Sequence, residues 1–565
     1  MVLLDPKNLS RPYPDRRSGE IMRKAVEFFE SKGKSALKRD DREQVWYADF
    51  LEYAKKEGLF AATLTPAGYG AKDSRWDTWR NCEFAEILAF YGLAYWYTWQ
   101  VSVLGLGPIW MSENEEIKKR AADLLEDGGI FAFGLSERAH GADVYSTDME
   151  LIPQEGGGYL AKGEKYYIGN GNQAALVSTF GKIRGTDDYV FFAVSSQNEH
   201  YECKRNVVNS QSYVSNFALN DYPISEQDIL SRGREAWNAA LNTVNVGKFN
   251  LGWASIGICT HALYEAVHHA ANRELYGQSV TDFPHVRQLF SDAYVRLVAM
   301  KLVALRAADY MRSASSEDRR YLLYNPVVKM KVTTQGEDVV NHLWDVIAAK
   351  GFERDMYFEM AARDIRALPK LEGTVHVNIA LIVKFMPNYF FNPQDCPEIG
   401  RRDDASDDTF LFHQGPARGL GEIGFPDYEA TYAAFSQPNV SIFREQIAVF
   451  KEMLAQAPPG QSQANDVDFL LAVGELFTLV VYGQLLLENA RIYEIEDDLI
   501  DQIFDVFVRD FSRFAIQLHG KPSSTDVQLQ HCLKMIAKPA VDPDRYARVW
   551  EEQVLPLRDR YSMNP

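Results

Sequence analysis

The sequence predicts a mainly α-helical chain with a small β-rich region in its first half and a second helical region towards its C-terminus. Three observations carry this. Apolar residues recur at three- and four-residue spacing before residue 125 and again from 236. Between about 129 and 222 they give way to short β-branched and aromatic runs punctuated by Gly and Asn. A polar stretch rich in Asp, Arg and Pro, 392–408, then separates two helical regions. With 565 residues the chain suggests three or four domains, or one large core with an appendage. Its 46% apolar and 24% charged residues exclude disordered and fibrous classes.

In chain order, helical spacing runs through 21–29, 46–59, 79–97 and 101–111, and the Pro and Gly of 65–70 mark a loop. The texture changes at Asp127-Gly128-Gly129, and strand-like runs follow at 159–168, 175–183 and 189–195. Helical spacing returns at Ala236 and persists to about Phe390. It resumes from about 424 to 560, broken at Ala457-Pro458-Pro459-Gly460. Four domains are expected: 1–126 helical, 127–235 β, 236–390 helical, and 391–565 a further helical domain.

The five cysteines, Cys82, Cys203, Cys259, Cys396 and Cys532, form no CxxC pair and no His-Cys cluster. A structural zinc site or disulfide framework is therefore not expected, and a reducing compartment fits. The first residues lack an apolar core of signal-peptide length, so a soluble, cytoplasmic protein is expected. The stretch closest to a membrane span, 469–487, contains Glu475 and Gln484 and reads as a buried bundle helix. The net charge is −18, from 60 Lys plus Arg against 78 Asp plus Glu. Residues 391–565 hold 15 basic and 28 acidic side chains, so −13 of that charge lies in the last domain.

The chemistry centres on Ala362-Arg363-Asp364-Ile365-Arg366 and the Leu371-Glu372-Gly373-Thr374 beyond it. In its own right, Glu372 reads as a loop carboxylate opening a helix, with Thr374 as the N-cap. In context, RDxR followed by EGT resembles the signature around the catalytic base of the acyl-CoA dehydrogenase family. Three further segments resemble family motifs in the right order. The stretch 131–144 (FAFGLSERAHGADV) is similar to a flavin-contacting strand and loop, 163–171 (GEKYYIGNG) to the GxKxWITNG strand, and 273–277 (RELYG) to RxxFG. The resemblance covers about 20–390, and the rest compares only with the extra helical domain of long-chain members.

The resemblance implies an N-terminal helical domain, a β-barrel-like sheet domain and a four-helix bundle, with FAD between sheet and bundle and reaching a neighbouring subunit. It implies α,β-dehydrogenation of an acyl-CoA or other acyl thioester, as in fatty acid β-oxidation. A carboxylate takes the α-proton, and the β-hydrogen leaves as hydride to the flavin. Glu372 is assigned as the base. The other position some members use falls in 242–250, which contains no carboxylate. Carried over by motif, Phe133, Leu135, Ser136, Tyr167, Gly169, Arg273, Tyr276, Asp345, Thr374 and His376 contact FAD, with Arg273 on the pyrophosphate. Ala142, Asn245, Lys248 and Gly373 fall on the substrate side, with Lys248 where long-chain members have an Arg that helps hold CoA. A homodimer is implied, passing electrons to an electron-transfer flavoprotein or another acceptor.

Departures from the pattern are specific. Arg138-Ala139-His140 replaces a Pro-Gly-small triplet, and Ala142 replaces a CoA-binding Ser. Gly169 stands where a Thr or Ser bonds the flavin; Asp345 and Ala348-Ala349 replace a Gln and paired Gly. Alternatives are an acyl-thioester desaturase or oxidase of secondary metabolism, an alkylation-response-like flavoprotein that binds DNA, and a membrane-docked enzyme. The acidic last domain argues against DNA and anionic membranes, which demand positive surfaces. The aromatic cluster Tyr95-Trp96-Tyr97-Thr98-Trp99 reads as core packing, or as a wall of the acyl pocket.

Overall fold

The computed structural model describes residues 3–9, 12–416 and 418–565. Two compact units form, one from 8–250, 403–418 and 563–565, the other from 1–7, 251–402 and 419–562. Residues 8–250 of the first unit take in most of the expected domains 1–126 and 127–235, and 251–402 with 419–562 take in most of 236–390 and 391–565.

The first unit is organised by helix Leu93–Met111, which is apolar on nearly every face and buried along almost its whole length. It lies against the sheet closely enough that a Cβ on Gly105 would sit 2.7 Å from the Ala132 backbone. Ser102 Oγ accepts the Phe131 N–H at 3.1 Å, and Asn170 Nδ2 donates to the carbonyls of Thr98 and Phe131, both at 2.9 Å. Helix Gly233–Gly247 crosses the same rod at Gly107, and Gln100 Nε2 donates to Gly247 O at 2.9 Å. That contact explains why this helix belongs with the sheet rather than with the bundle.

Helix Leu93–Met111 is separated from helix Thr78–Tyr91 at Gly92, earlier than the break expected after residue 97. Its aromatic cluster is mostly core. Tyr95, Trp96 and Trp99 are fully buried, Tyr95 packs on Phe29 and Phe50, and Trp99 Nε1 donates to Thr63 Oγ1.

The sheet contains β1 (Phe131–Gly134), β2 (Glu150–Pro153), β3 (Tyr159–Gly169), β4 (Leu176–Ile183), β5 (Tyr189–Val194), β6 (Tyr201–Asn206), β7 (Val214–Ile224) and β8 (Ile229–Arg232). The order is β6-β7-β3-β2-β4-β5-β8, with β1 parallel to β4 from Phe131↔Leu176 to Gly134↔Thr179. The three strand-like runs of the sequence correspond to β3, β4 and β5.

The second unit holds helices Asn250–Ala271, Pro284–Arg312, Val467–Ile492 and Asp497–His519, and a continuous helical rod from Tyr321 to Ile347. The rod carries a π-helical turn at Val328–Val332, just after Pro326, where the missing N–H interrupts regular bonding. Helix Val467–Ile492 is long and apolar enough to cross a membrane by length and composition, but 83% of its most apolar window is buried inside the unit.

Carboxylates beyond residue 390 meet arginines of helix Pro284–Arg312. Arg296 makes two bonds to Asp510 (2.7 and 3.0 Å), and Arg306 Nε donates to Glu488 at 2.7 Å. In return Arg509 grips Asp292 at 2.9 and 3.0 Å. Part of the acidic charge thus serves pairing with the bundle.

Burial opposes the charge of Asp510, but Arg296 more than offsets it and holds the carboxyl well below the usual carboxylate range. Stability from this group is complete above the unfolded carboxylate pKa of about 3.9 and lost as pH falls towards the folded value. Arg296→Met should cost about 3–5 kcal/mol in denaturant unfolding at neutral pH, because it strands a buried charge. The loss should shrink in acid, and a deficit independent of pH would count against the pair.

Candidate active site

The expected site residues lie on both units. In the sheet unit, β1 ends at Gly134 and the chain turns, with Leu135 N–H donating to Phe133 O at 3.0 Å. Ser136 runs beside β3. Its carbonyl accepts the Tyr166 N–H (3.0 Å) and its hydroxyl donates to Tyr166 O (2.9 Å). Among the described residues the Ser136 N–H meets no acceptor, which leaves a backbone donor for a ligand. The Phe133 ring is packed inward on Phe191 at 5.9 Å, so only its backbone is available to one.

Between Tyr166 and Ile168 the register of β3 against β7 slips, and Tyr167 is bulged out at φ +68° with its residue 45% exposed. A bulge of this kind re-aims a side chain away from the ladder. The residue expected to face a flavin ring is therefore presented outward, one position from the residue Ser136 holds.

Beneath this loop Lys165, fully buried, donates to Glu137 Oε1 (2.7 Å), Leu135 O (2.9 Å) and Thr147 Oγ1 (3.2 Å). Glu137 also accepts the amides of Asp148 and Met149. Burial opposes the Glu137 charge, but the Lys165 ammonium prevails and keeps its carboxyl below the usual range. Glu137, His140 and Asp148 lie close enough to share a cation, but the Glu137 carboxylate is already taken up by Lys165, Thr147 and the two amides.

Other expected contacts sit differently. Gly169 is buried against helix Leu93–Met111, where a Cβ would lie 2.6 Å from Val101 Cγ2 and 2.8 Å from Tyr97 Cε1. A hydroxyl-bearing side chain has no room there, which accounts for the glycine. Ala142 is exposed in its loop. Asn245 and Lys248, at the end of helix Gly233–Gly247, are buried, 8% and 6% exposed.

In the bundle unit, Arg273 follows helix Asn250–Ala271 at the base of a two-stranded hairpin, β9 (Glu274–Leu275) and β10 (Gln278–Ser279). The turn residues Tyr276 and Gly277 both have positive φ (+54° and +80°), the type I′ geometry that suits a tight hairpin, and Tyr276 is 96% exposed. Asp345 is exposed near the end of helix Thr333–Ile347. Ala348, where the family pattern has glycine, adopts φ +57°.

Glu372 also has positive φ, +51°, followed by Gly373 at +89°. Two consecutive left-handed residues turn the chain sharply into helix Val375–Ile382, whose N-cap is Thr374, accepting the Val377 N–H. The N-cap reading of Thr374 therefore holds. His376 is exposed on the first turn. Asn378 Nδ2 donates to Gly373 O (3.1 Å) and Thr374 O (2.9 Å). Lys329, buried on the π-helical turn, donates its Nζ to Pro369 O (2.7 Å) and Gly373 O (2.5 Å).

Sequence reasoning missed the supporting roles of Glu137, Lys165, Lys329 and Asn378. The available signal was a lone charge inside an apolar pattern, as in Asn325-Pro326-Val327-Val328-Lys329-Met330, where burial requires a partner. Ala348→Gly should raise stability by about 1 kcal/mol by relieving the left-handed backbone. A thermal midpoint at or below wild type would contradict the strain. Gly169→Ser should cost about 1–3 kcal/mol through overpacking against Val101 and Tyr97, read from the denaturant midpoint.

Residues 235–386 match the family model for the acyl-CoA dehydrogenase C-terminal domain. A 3-(aryl)acrylate reductase from Clostridium sporogenes is 23% identical over 289 residues, covering 50% of this chain and 75% of the relative. The short-chain-specific acyl-CoA dehydrogenase of Megasphaera elsdenii is 20% identical over 370 residues, covering 64% and 95%. The solved structure of a Bacillus anthracis acyl-CoA dehydrogenase complexed with FAD matches with a TM-score of 0.75 at 16% identity, over 98% of this chain and 97% of that one. The shared fold thus includes the helices beyond residue 390. Residues 235–386 thus match the acyl-CoA dehydrogenase C-terminal domain, and the chain as a whole resembles members of that family in fold, its additional C-terminal helices included.

Proposed function

We propose that this chain is an FAD-dependent acyl-thioester dehydrogenase that removes the α- and β-hydrogens of an acyl-CoA to give the trans-2-enoyl-CoA, with Glu372 as the α-proton base. In this reading it works in the cytoplasm as a homodimer and passes electrons to an electron-transfer flavoprotein or another acceptor. The observation that carries the reading is the left-handed Glu372–Gly373 turn, fixed by Lys329 and Asn378 within the stretch that matches the family. A flexible surface carboxylate needs no such fixing.

The residues suit FAD by their donor set. Ser136 offers an unshared amide, Tyr167 an outward ring, and Arg273 a fixed positive charge for a pyrophosphate. FAD, when bound, accepts the β-hydrogen as hydride. The protein's part is to hold the Glu372 carboxylate where it can take the α-proton, and to keep the loop at Leu135–Ser136 rigid through Lys165 and Glu137. The same carboxylate, once protonated, can return a proton to an enoyl thioester, so the arrangement also suits reduction, the activity named for the Clostridium relative.

The test is anaerobic mixing of the purified flavoprotein with a panel of acyl-CoA thioesters, following loss of flavin absorbance. At least one should bleach the wild type, and Glu372→Gln should slow that step by about 10²–10⁴-fold. A wild type inert to the whole panel would end the dehydrogenase reading. A glutamine variant as fast as wild type would move the base elsewhere.

A further inference from the structure

We propose that Lys329 is a positioning residue that holds Glu372 in its reactive place by fastening the backbone on both sides of it. The inference rests on Glu372 being the base. It goes beyond that assignment by naming what keeps the base in a conformation its own backbone disfavours.

A glutamate at φ +51° is intrinsically unfavourable, because the Cβ crowds the following carbonyl. Such a turn persists only if its surroundings over-determine it. Here one ammonium reaches both sides of the turn. Lys329 Nζ donates to Pro369 O, three residues before Glu372, and to Gly373 O, immediately after it. The two acceptors bracket the loop, so one charged group closes it like a staple. Charge-assisted bonds to carbonyls in a buried setting are among the stronger hydrogen bonds available.

The lysine is itself immobilised. Its residue is fully buried, and it sits in the π-helical turn Val328–Val332, which Thr333 and Thr334 brace by donating hydroxyls to Lys329 O (2.6 Å) and Met330 O (3.0 Å). A π-helical turn inserts an extra residue and rotates the helix beyond it, a device that recurs at functional sites. Asn378 adds a second donor to Gly373 O, from the helix that the loop opens and that packs on helix Val467–Ile492 at Gly474. Lys329 differs in reaching both ends of the loop, and its rod continues into helix Thr333–Ile347, packed on helix Pro284–Arg312 through Gln335, which accepts from Arg296 at 2.5 Å.

The experiment uses the full-length holoenzyme and two variants, Lys329→Met and Lys329→Gln, with two readouts. Hydrogen exchange of the amides of 370–375 should quicken by about tenfold or more in Lys329→Met while those of helix Pro284–Arg312 stay unchanged, and Lys329→Gln should fall between. The limiting rate of flavin reduction by the best thioester should fall by about 10²-fold, since small misplacement of a base is costly. Affinity for a non-reducible thioether analogue should change by less than about threefold, because the lost interaction positions the base rather than binds substrate.

A folded Lys329→Met with wild-type loop exchange and a wild-type reduction rate would overturn the proposal. So would exchange that quickens equally throughout the unit in both variants, since that marks a general support of the core. Should no thioester reduce even the wild type, the functional reading falls, and loop exchange alone then decides whether Lys329 holds the turn.

Discussion

Arg296 carries a charge in the interior of the bundle unit, and it can remain there only because Asp510 lies against it in a two-bond pairing. That one requirement joins parts of the chain more than two hundred residues apart. It makes the C-terminal helices part of the unit that holds the candidate base, rather than an appendage to it. The same guanidinium donates to Gln335, on the rod that carries Lys329, and Lys329 donates to the carbonyls around Glu372. Buried polar contacts thus tie the helix Asp497–His519 to the rod at Gln335, and the same rod to the proposed base loop at Lys329.

The sheet unit solves a related problem with different means. Lys165 and Glu137 face each other without solvent, and their attraction, with the amides of Asp148 and Met149, fixes the chain just past Leu135 and Ser136. Each unit therefore uses a buried lysine to secure a loop by its carbonyls. In both cases the lysine lies outside the set of residues expected to touch a ligand, and its value is rigidity where groups must be aligned to a fraction of an ångström.

The acidic character of residues 391–565 takes on a second meaning in this light. Net charge alone leads to the expectation that nucleic acid and anionic membranes are not its partners. The position of Glu488 and Asp510 against arginines of helix Pro284–Arg312 shows that part of this charge is a matching surface for the bundle. Helix Val467–Ile492 makes the same point for hydrophobicity: a stretch long enough for a membrane is a buried core helix of this unit.

The sequence by itself determined the order of helical and strand-like regions, because periodicity is local and is imposed by which face each element must bury. It also marked Glu372, Ser136, Tyr167 and Arg273 through short motifs, because chemistry constrains residue type at fixed spacing. Only the tertiary structure decided the rest. The break at Gly92, the grouping of helix Gly233–Gly247 with the sheet, and the absence of any side chain at residue 169 all follow from close approach to helix Leu93–Met111. The outward turn of Tyr167 needs the slip between β3 and β7, and the hold of Lys329 on Gly373 spans 44 residues. Such contacts depend on where separate segments meet in space, and no pattern along a single segment encodes that.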